Sequence, residues 1–185
     1  MPKYAIALSA LLIAVGTAAV FGIFQYASEQ NRFAAIEKRD KWISDTVSEV
    51  AAGQTHVVLY SCINTDFMLE SLAGMEHLES ISFQQTIDLT DEGLQHLTKM
   101  PNLKELSFCG ESISNDSIRI LTKCTCLTSL SLELTRVSDA GLESIAKIPQ
   151  LRSFDHFGQF SEEAIESLSA RAPDLEITNR AVVYD

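Results

Sequence analysis

The sequence predicts an α/β solenoid, a stack of short strand–helix units, preceded by one membrane-spanning helix. Three observations support this prediction: a nine-residue motif recurs at nearly constant spacing, apolar residues between the motifs change from helical to strand spacing, and the N-terminal segment is long, apolar and uncharged. The predicted organisation is an anchor at residues 1–28, an amphipathic helix within residues 29–55, and about five units of 23–25 residues within residues 56–185.

The N-terminal segment has the composition of a membrane anchor. No charged residue lies between Tyr4 and Ser28, and about 20 apolar residues are enough to span a bilayer as a helix. A cleaved signal peptide has a shorter apolar region, of about 7 to 15 residues, so we favour an uncleaved anchor. The excess of basic residues after the run favours a cytoplasmic location for the domain that follows. A short N-terminal tail before an anchor, however, commonly stays in the cytoplasm, which would place that domain on the other side of the membrane. The sequence leaves the side of the membrane open.

Residues 29–55 are predicted to form an amphipathic helix that ends at Gly53. Apolar residues recur at helical spacing among charged ones; they are Phe33, Ile36, Ile43, Val47 and Val50. Such a helix could be a stalk, but a helix that leads into a repeat array more often covers its open end, and we favour this cap. The next segment, HVVLY at residues 56–60, predicts the first strand.

The recurring motif marks the start of a helix. It occurs as LTDEGLQHL (89–97), ISNDSIRIL (113–121), VSDAGLESI (137–145) and FSEEAIESL (160–168). Its Ser or Thr is predicted to be an N-cap, which accepts a hydrogen bond from the first helical turn. The polar residue after the cap, usually acidic, suits the positive end of the helix dipole. The predicted caps are Thr65, Thr90, Ser114, Ser138 and Ser161.

Between the motifs, apolar residues lie three and then two positions apart, as in Leu78, Ile81 and Phe83. The first spacing is that of a helix and the second that of a strand, so each unit is a short helix, a loop and a short strand. A unit of about 24 residues cannot bury its own apolar side, whereas stacked units share one core. The last segment, DLEITNRAVVYD (174–185), departs from the pattern and is predicted to cap the open end.

The combined pattern, LxxLxLxxxx-I-[ST]-D-x-x-L, resembles the leucine-rich repeat in its cysteine-containing subtype, which is familiar from F-box substrate receptors and from bacterial proteins. The resemblance covers residues 56 to about 178. It implies a right-handed solenoid with strands on the concave side, helices on the convex side and a protein-binding role. The subtype's Cys after the strand is matched only by Cys109, and the sequence before the array shows no F-box, so a role in ubiquitin ligation is not implied.

Alternate strand residues are predicted to face out of the core, because successive side chains of a strand point to opposite sides. The centre of this outward face is mostly serine, which leaves room for the side chains or backbone of an unidentified partner protein, and an aromatic residue stands at each end as an anchor. The predicted partner-binding residues are Tyr60, Ser82, Gln84, Glu105, Ser107, Cys109, Ser129, Ser131, Glu133, Asp155 and Phe157. The alternative is that serine merely tolerates exposure and that the repeats are a structural spacer.

Charge and motif content argue against other classes of function. The net charge of -11 comes from residues 56–185, with twenty acidic and nine basic residues, because residues 1–55 hold five of each. Such a domain repels nucleic acid.

Cys124 and Cys126 form no CxxC pair and are predicted to pack in the core, and no cofactor or metal motif is present. Only His56 and His156, in the outermost units, could serve the face serines as a base, so no enzyme is predicted. We expect His156 to be a buried, hydrogen-bonded residue or part of a distorted strand.

Overall fold

The computed structural model describes residues 34, 36–38, 40–60, 65–85 and 88–181. The chain divides into two units, residues 1–44 and 45–185. In the first unit, residues 34, 36–38 and 40–44 are helical and Ile43 is buried. The predicted anchor at residues 1–28 lies outside the described residues. None of the helices in the described part of the chain combines the length and the apolar character that crossing a bilayer requires.

The second unit is a solenoid-like α/β array built on one sheet. Its six strands lie side by side in chain order and are all parallel. The strands are β1 (His56–Tyr60), β2 (Ser80–Gln84), β3 (Glu105–Cys109), β4 (Ser129–Glu133), β5 (Ser153–His156) and β6 (Glu176–Asn179). The predicted stacking of strands is therefore confirmed, and β6 adds a strand in the segment that was predicted only to cap the array.

A helix connects each strand to the next. The unit begins with helical residues 45–51 (α1), in which Val50 is buried and Val47 is half-buried, as the apolar stripe predicts. The connecting helices are α2 (Thr65–Leu72), α3 (Asp91–Leu94), α4 (Asn115–Leu121), α5 (Asp139–Ile145) and α6 (Glu162–Arg171), with a 3-10 helix at Gln95–Lys99 continuing α3. Phe33, the first residue of the predicted stripe, lies outside the described residues.

Strand register places equivalent residues of successive units beside one another. Ser107, for example, pairs with Ser82 on one side and with Ser131 on the other. The inward residues form two continuous buried rows, Val57, Ile81, Leu106, Leu130 and Phe154, and then Leu59, Phe83, Phe108, Leu132 and His156. The rings of Phe83 and Phe108 stack with centroids 4.7 Å apart. Full burial of each large apolar side chain contributes about 1.5–3 kcal/mol, so these rows supply much of the stability.

Three of the predicted N-caps are confirmed by hydrogen bonds into the first helical turn. Thr90 Oγ1 accepts from the Gly93 N–H at 3.2 Å, and Ser161 Oγ accepts from the Ala164 N–H at 3.3 Å. Ser114 forms a reciprocal capping box with Ser117 at the start of α4. These hydroxyls satisfy backbone donors that the helix itself leaves unpaired.

The other two predicted caps differ from these three. Ser138 is at the N-cap position of α5 as predicted, but it makes no capping hydrogen bond, and its hydroxyl accepts from Asn115 Nδ2 at 2.9 Å. Thr65 is the first residue of α2 and is buried. Its hydroxyl donates to Asp88 Oδ1 at 2.7 Å, in the next unit. In both places the hydroxyl bonds to a side chain of a neighbouring unit.

In three units the polar residue after the predicted cap joins one unit to the next, a role that the dipole argument does not include. Asp66 accepts from the Thr90 N–H at 3.0 Å and from the Thr90 hydroxyl at 2.6 Å. Asp139 accepts from the N–H and the hydroxyl of Ser161 in the same way, whereas Asn115 accepts from the Ser138 N–H and donates to the Ser138 hydroxyl. We call these three pairs the inter-unit bridges.

The inter-unit bridges explain why a small residue stands three positions after the N-cap, as Gly93 does after Thr90. A Cβ atom on Gly93 would lie 1.9 Å from Asp66 Oδ1, and one on Gly141 would lie 2.5 Å from Asn115 Oδ1. In α4 the equivalent residue is Ser117, whose hydroxyl donates to Asp91 Oδ1 at 2.8 Å. The side chain of the preceding unit therefore occupies the space that a larger residue would need.

Substituting Gly93→Ala is expected to lower the free energy of unfolding by roughly 1–2 kcal/mol. The new methyl group displaces the Asp66 carboxylate and leaves the Thr90 donors unpaired, a loss that exceeds the gain of about 1 kcal/mol from replacing glycine in a helix. Urea denaturation followed by circular dichroism measures the change. Asp66→Asn is the matched control and should be tolerated, since Asn115 serves the equivalent bridge, whereas Asp66→Ala should resemble Gly93→Ala. A more stable Gly93→Ala protein would contradict the role of the bridge.

Candidate functional site

The outward side chains of β1–β5 form one surface, which we call the strand face. Its middle row contains Ser82, Ser107, Ser131 and Asp155 in register, and all four side chains are half-buried. The rows on either side contain the other predicted strand residues, Glu105 with Ser129 and Gln84 with Cys109 and Glu133. The structure therefore brings together the central residues that the sequence predicted to lie on this surface.

The two predicted aromatic anchors lie differently from the central residues. Tyr60 ends β1 in register with Gln84, and its side chain lies outside the described part of the structure. Phe157 was predicted to lie on a strand, but β5 ends one residue earlier, at His156. The Phe157 N–H donates instead to the side chain of Gln159, at 3.0 Å from Oε1, so Phe157 belongs to the loop after β5.

The charged side chains of the strand face are acidic. Glu105, Glu133 and Asp155 occupy outward positions, and none of the outward positions in the six described strands holds Lys or Arg. Asp155 Oδ2 accepts from Arg180 Nε at 2.6 Å, while Asp155 Oδ1 is buried and lacks a hydrogen-bond partner among the described residues. Because Arg180 balances Asp155, the carboxylates of Glu105 and Glu133 are the ones that give the face a negative potential, which attracts cationic groups.

Cys109 is half-buried between acidic and polar neighbours. Burial raises the pKa of its thiol, and the charge of Glu133 together with a hydrogen bond to that carboxylate raises the pKa further, while a backbone hydrogen bond to Gln85 lowers it. Burial also raises the pKa of Cys124 to about 11. Since the thiolate is the reactive form, neither residue is activated as a nucleophile at neutral pH. Cys126 is likewise a free thiol, and Cys62 lies outside the described residues.

His156 is a buried and hydrogen-bonded core residue, which is one of the two alternatives that the sequence predicted. It is 5% exposed, and its Nδ1 accepts from the Gly158 N–H at 3.3 Å. Its ring lies against Phe154 and Phe160, with centroids 6.0 and 5.6 Å away. Burial lowers the pKa of the imidazole, and the neighbouring Asp155 partly opposes this effect.

A second feature of the site lies at the carboxyl ends of β2, β3 and β4 and was missed by the sequence analysis. It is a cavity of about 650 Å³, which we call the strand-end cavity, lined by Gln85, Cys109, Gly110, Glu111, Leu134, Thr135, Arg136 and Gln159. Leu134 has a φ angle of 51°, in the left-handed region. The equivalent positions of other units, Gln85, Gly110 and Gly158, also have positive φ, and the two glycines among them are the signal that the sequence offers for a turn at this place.

Comparison with protein-family models and with curated proteins finds no match to this chain. The functional interpretation therefore depends on the geometry of the strand face and the strand-end cavity. Within the described ranges, no group of three or more His, Cys, Asp or Glu residues is arranged to hold a metal ion. The pairing of His56 Nδ1 with Ser80 Oγ at 3.0 Å is exposed, and in the described part of the chain no carboxylate orients the ring, as a catalytic base requires.

His156 is expected to make the stability of the array decrease as the pH falls below about 6.5. Its pKa is lowered in the folded state, so the unfolded state binds the proton more readily, and stability is complete above the unfolded pKa and is lost toward the folded one. Urea unfolding at pH 7.5 and pH 5.5 measures the loss. His156→Leu, which copies Leu132 in the same row, should lose less stability than the unaltered protein, while exposed His77→Gln should not change the loss. Equal losses in all three proteins would contradict this assignment.

Proposed function

We propose that this protein is a membrane-anchored leucine-rich repeat module that binds another protein through its strand face. The observation that carries the proposal is the row formed by Ser82, Ser107 and Ser131, which lie in register on neighbouring strands. Small polar side chains at the centre of a surface allow a partner to approach closely, and hydroxyls can donate or accept hydrogen bonds. The backbone ladder holds this surface in a fixed form before a partner arrives.

The repeat class in this proposal is supported by the spacing of the units. Register partners in neighbouring strands are 24 or 25 residues apart through β4, and each connection contains a short helix. Leucine-rich repeats have units of about 20–29 residues with one strand per unit. In our proposal the solenoid is right-handed and the strand face is its concave side.

The membrane anchor in this proposal is supported by the N-terminal sequence. No Asp, Glu, Lys or Arg occurs between Tyr4 and Ser28, and about 20 apolar residues suffice for a spanning helix. An anchor would hold the repeats close to a membrane, where a partner in the same membrane is present at high effective concentration.

Replacing Ser107 and Ser131 together by Arg should abolish partner binding and leave the fold intact. Both side chains point away from the core, and two bulky cations would block close approach and reverse the local charge. Cross-linking in native membranes, followed by capture of the protein, should lose the dominant heterologous partner. The control is Ala140→Arg with Ala170→Arg, which adds the same charge at exposed helical positions. If the strand-face variant is folded by circular dichroism and keeps the partner, recognition through this face is excluded; if the unaltered protein shows no dominant partner, the spacer role is favoured.

Deleting residues 1–28 should convert the protein from a membrane-associated to a soluble, folded and monomeric form. The deletion removes the uncharged apolar run and leaves an acidic remainder. Sedimentation of cell extracts with and without detergent measures the change. Replacing Leu12 and Ile13 by Asp keeps the length and should have the same effect, because each charge costs about 2.5–3.5 kcal/mol at the centre of a membrane helix. Recovery of the full chain in the soluble fraction without detergent would contradict the anchor.

A further inference from the structure

The loops that follow β3 and β5 are fixed to the sheet by hydrogen bonds. The Gly110 N–H donates to the backbone oxygen of Glu133 at 3.1 Å. Gln159 Nε2 donates to the backbone oxygen of Leu132 at 3.2 Å. These bonds give the strand-end cavity a preformed wall, and its volume of about 650 Å³ is in the range of pockets that hold ligands rather than single waters.

Leu134 is an unusual residue for its position in that wall. Its side chain is 69% exposed, more than that of Phe67 at 49%, the other exposed large apolar side chain that the structure describes. Its φ of 51° is one that non-glycine residues rarely adopt. Gln85, Gly110 and Gly158 occupy the equivalent place after β2, β3 and β5, with φ angles of 54°, 138° and 81°. The left-handed conformation is therefore common to this loop position, and what distinguishes Leu134 is an exposed apolar side chain that lines a cavity and is open to contact with a molecule outside the chain.

The charges around Leu134 indicate the chemistry of that molecule. Glu133 directly precedes Leu134 on the strand side, and exposed Glu111 lines the cavity. The neighbouring strand face offers further carboxylates and no Lys or Arg at its outward positions in the described strands. Arg136, in the loop after β4, is the basic residue of the lining and balances the charge of Glu111, so the acidic excess around the cavity comes from Glu133 and the strand face. A molecule that places an apolar group on Leu134 and a cation toward the strands is therefore complementary to this environment.

We infer that the strand-end cavity receives a segment of a partner protein in which a large apolar residue is flanked by Lys or Arg. The apolar side chain packs on Leu134, and the cation faces Glu111 and Glu133. This inference rests on the proposed function, since it specifies the chemistry of the partner that the strand face would bind. A second copy of the chain is a poorer occupant, because two domains with the acidic excess of residues 56–185 repel each other.

Selection from a phage-displayed library of random decapeptides against the full chain, purified in detergent, tests the inference. The selected peptides should be enriched, relative to the unselected library, in an apolar residue next to Lys or Arg. A synthetic peptide of the enriched sequence should bind the Leu134→Gly variant about tenfold more weakly or worse. Glycine suits the backbone at this position, so Leu134→Gly should remain folded and be at least as stable as the unaltered protein in urea.

Two further variants sharpen the measurement. Phe67→Ala is the matched control, since it removes an exposed apolar side chain that is absent from the cavity lining, and it should bind the peptide as the unaltered protein does. Glu111→Gln with Glu133→Gln should weaken binding and reduce its dependence on salt concentration, because it removes the carboxylates that attract the cation.

Several results would overturn the inference. They are the absence of enriched peptides, enrichment of acidic peptides, unchanged binding by Leu134→Gly, or a dimer of the full chain that Leu134→Gly dissociates, which would identify a second copy as the occupant. The variant with Arg at Ser107 and Ser131 separates this inference from the proposed function. Loss of the peptide in that variant alone would exclude the cavity as its site, whereas loss in Leu134→Gly alone would support the cavity; the cross-linked partner of the variant with Arg at Ser107 and Ser131 tests the strand face separately.

Discussion

Hydrogen bonds between the helix N-termini of consecutive units fix the distance between the units, and the rest of the structure depends on that distance. The backbone ladder joins the units along the sheet, and the inter-unit bridges join them at the helix starts, as Asp66 does with Thr90 across 24 residues. Each such bond contributes only about 1 kcal/mol net, whereas burial of one large apolar side chain contributes about 1.5–3 kcal/mol. The bridges therefore contribute more to the register of the units than to their total stability. That register aligns the buried rows on one side of the sheet and the serine row on the other.

The parts of the fold that follow from local periodicity could be predicted from the sequence. Alternation along β3 correctly assigns Phe108 to the core and Ser107 to the outside, because the two side chains must point to opposite faces. The caps at Thr90, Ser114 and Ser161 are local as well. Ser138 has the same local sequence pattern, yet its hydroxyl pairs with Asn115 in the preceding unit. A partner 23 residues away leaves no local signal, so reasoning from one motif at a time cannot predict which donor the hydroxyl accepts from.

The ends of the array and the rims of its strands were less predictable. In β6, Ile177 is the one apolar residue at an inward strand position, and it is half-buried. A terminal strand packs against a neighbour on one side only, so it needs fewer apolar residues. Phe157 leaves the strand because a side-chain acceptor, Gln159 Oε1, engages its N–H. The strand-end cavity depends on the backbone conformation of Leu134, which its residue type argues against. The central rows of the candidate site were thus predictable, and its edges were not.

The composition of the strand face limits how it can contribute to affinity. Serine side chains bury little apolar area, and most of the binding energy of protein interfaces comes from a few large residues in well-packed pockets. The row of Ser82, Ser107 and Ser131 is therefore suited to admitting and orienting a partner, while the larger energetic contribution must come from apolar surface nearby. Leu134 supplies such surface at the carboxyl end of β4, in a cavity whose lining includes the loops after β3 and β5, which are hydrogen-bonded to the sheet. Because those loops are already ordered, a partner that contacts both surfaces would lose less conformational entropy than one that must order them.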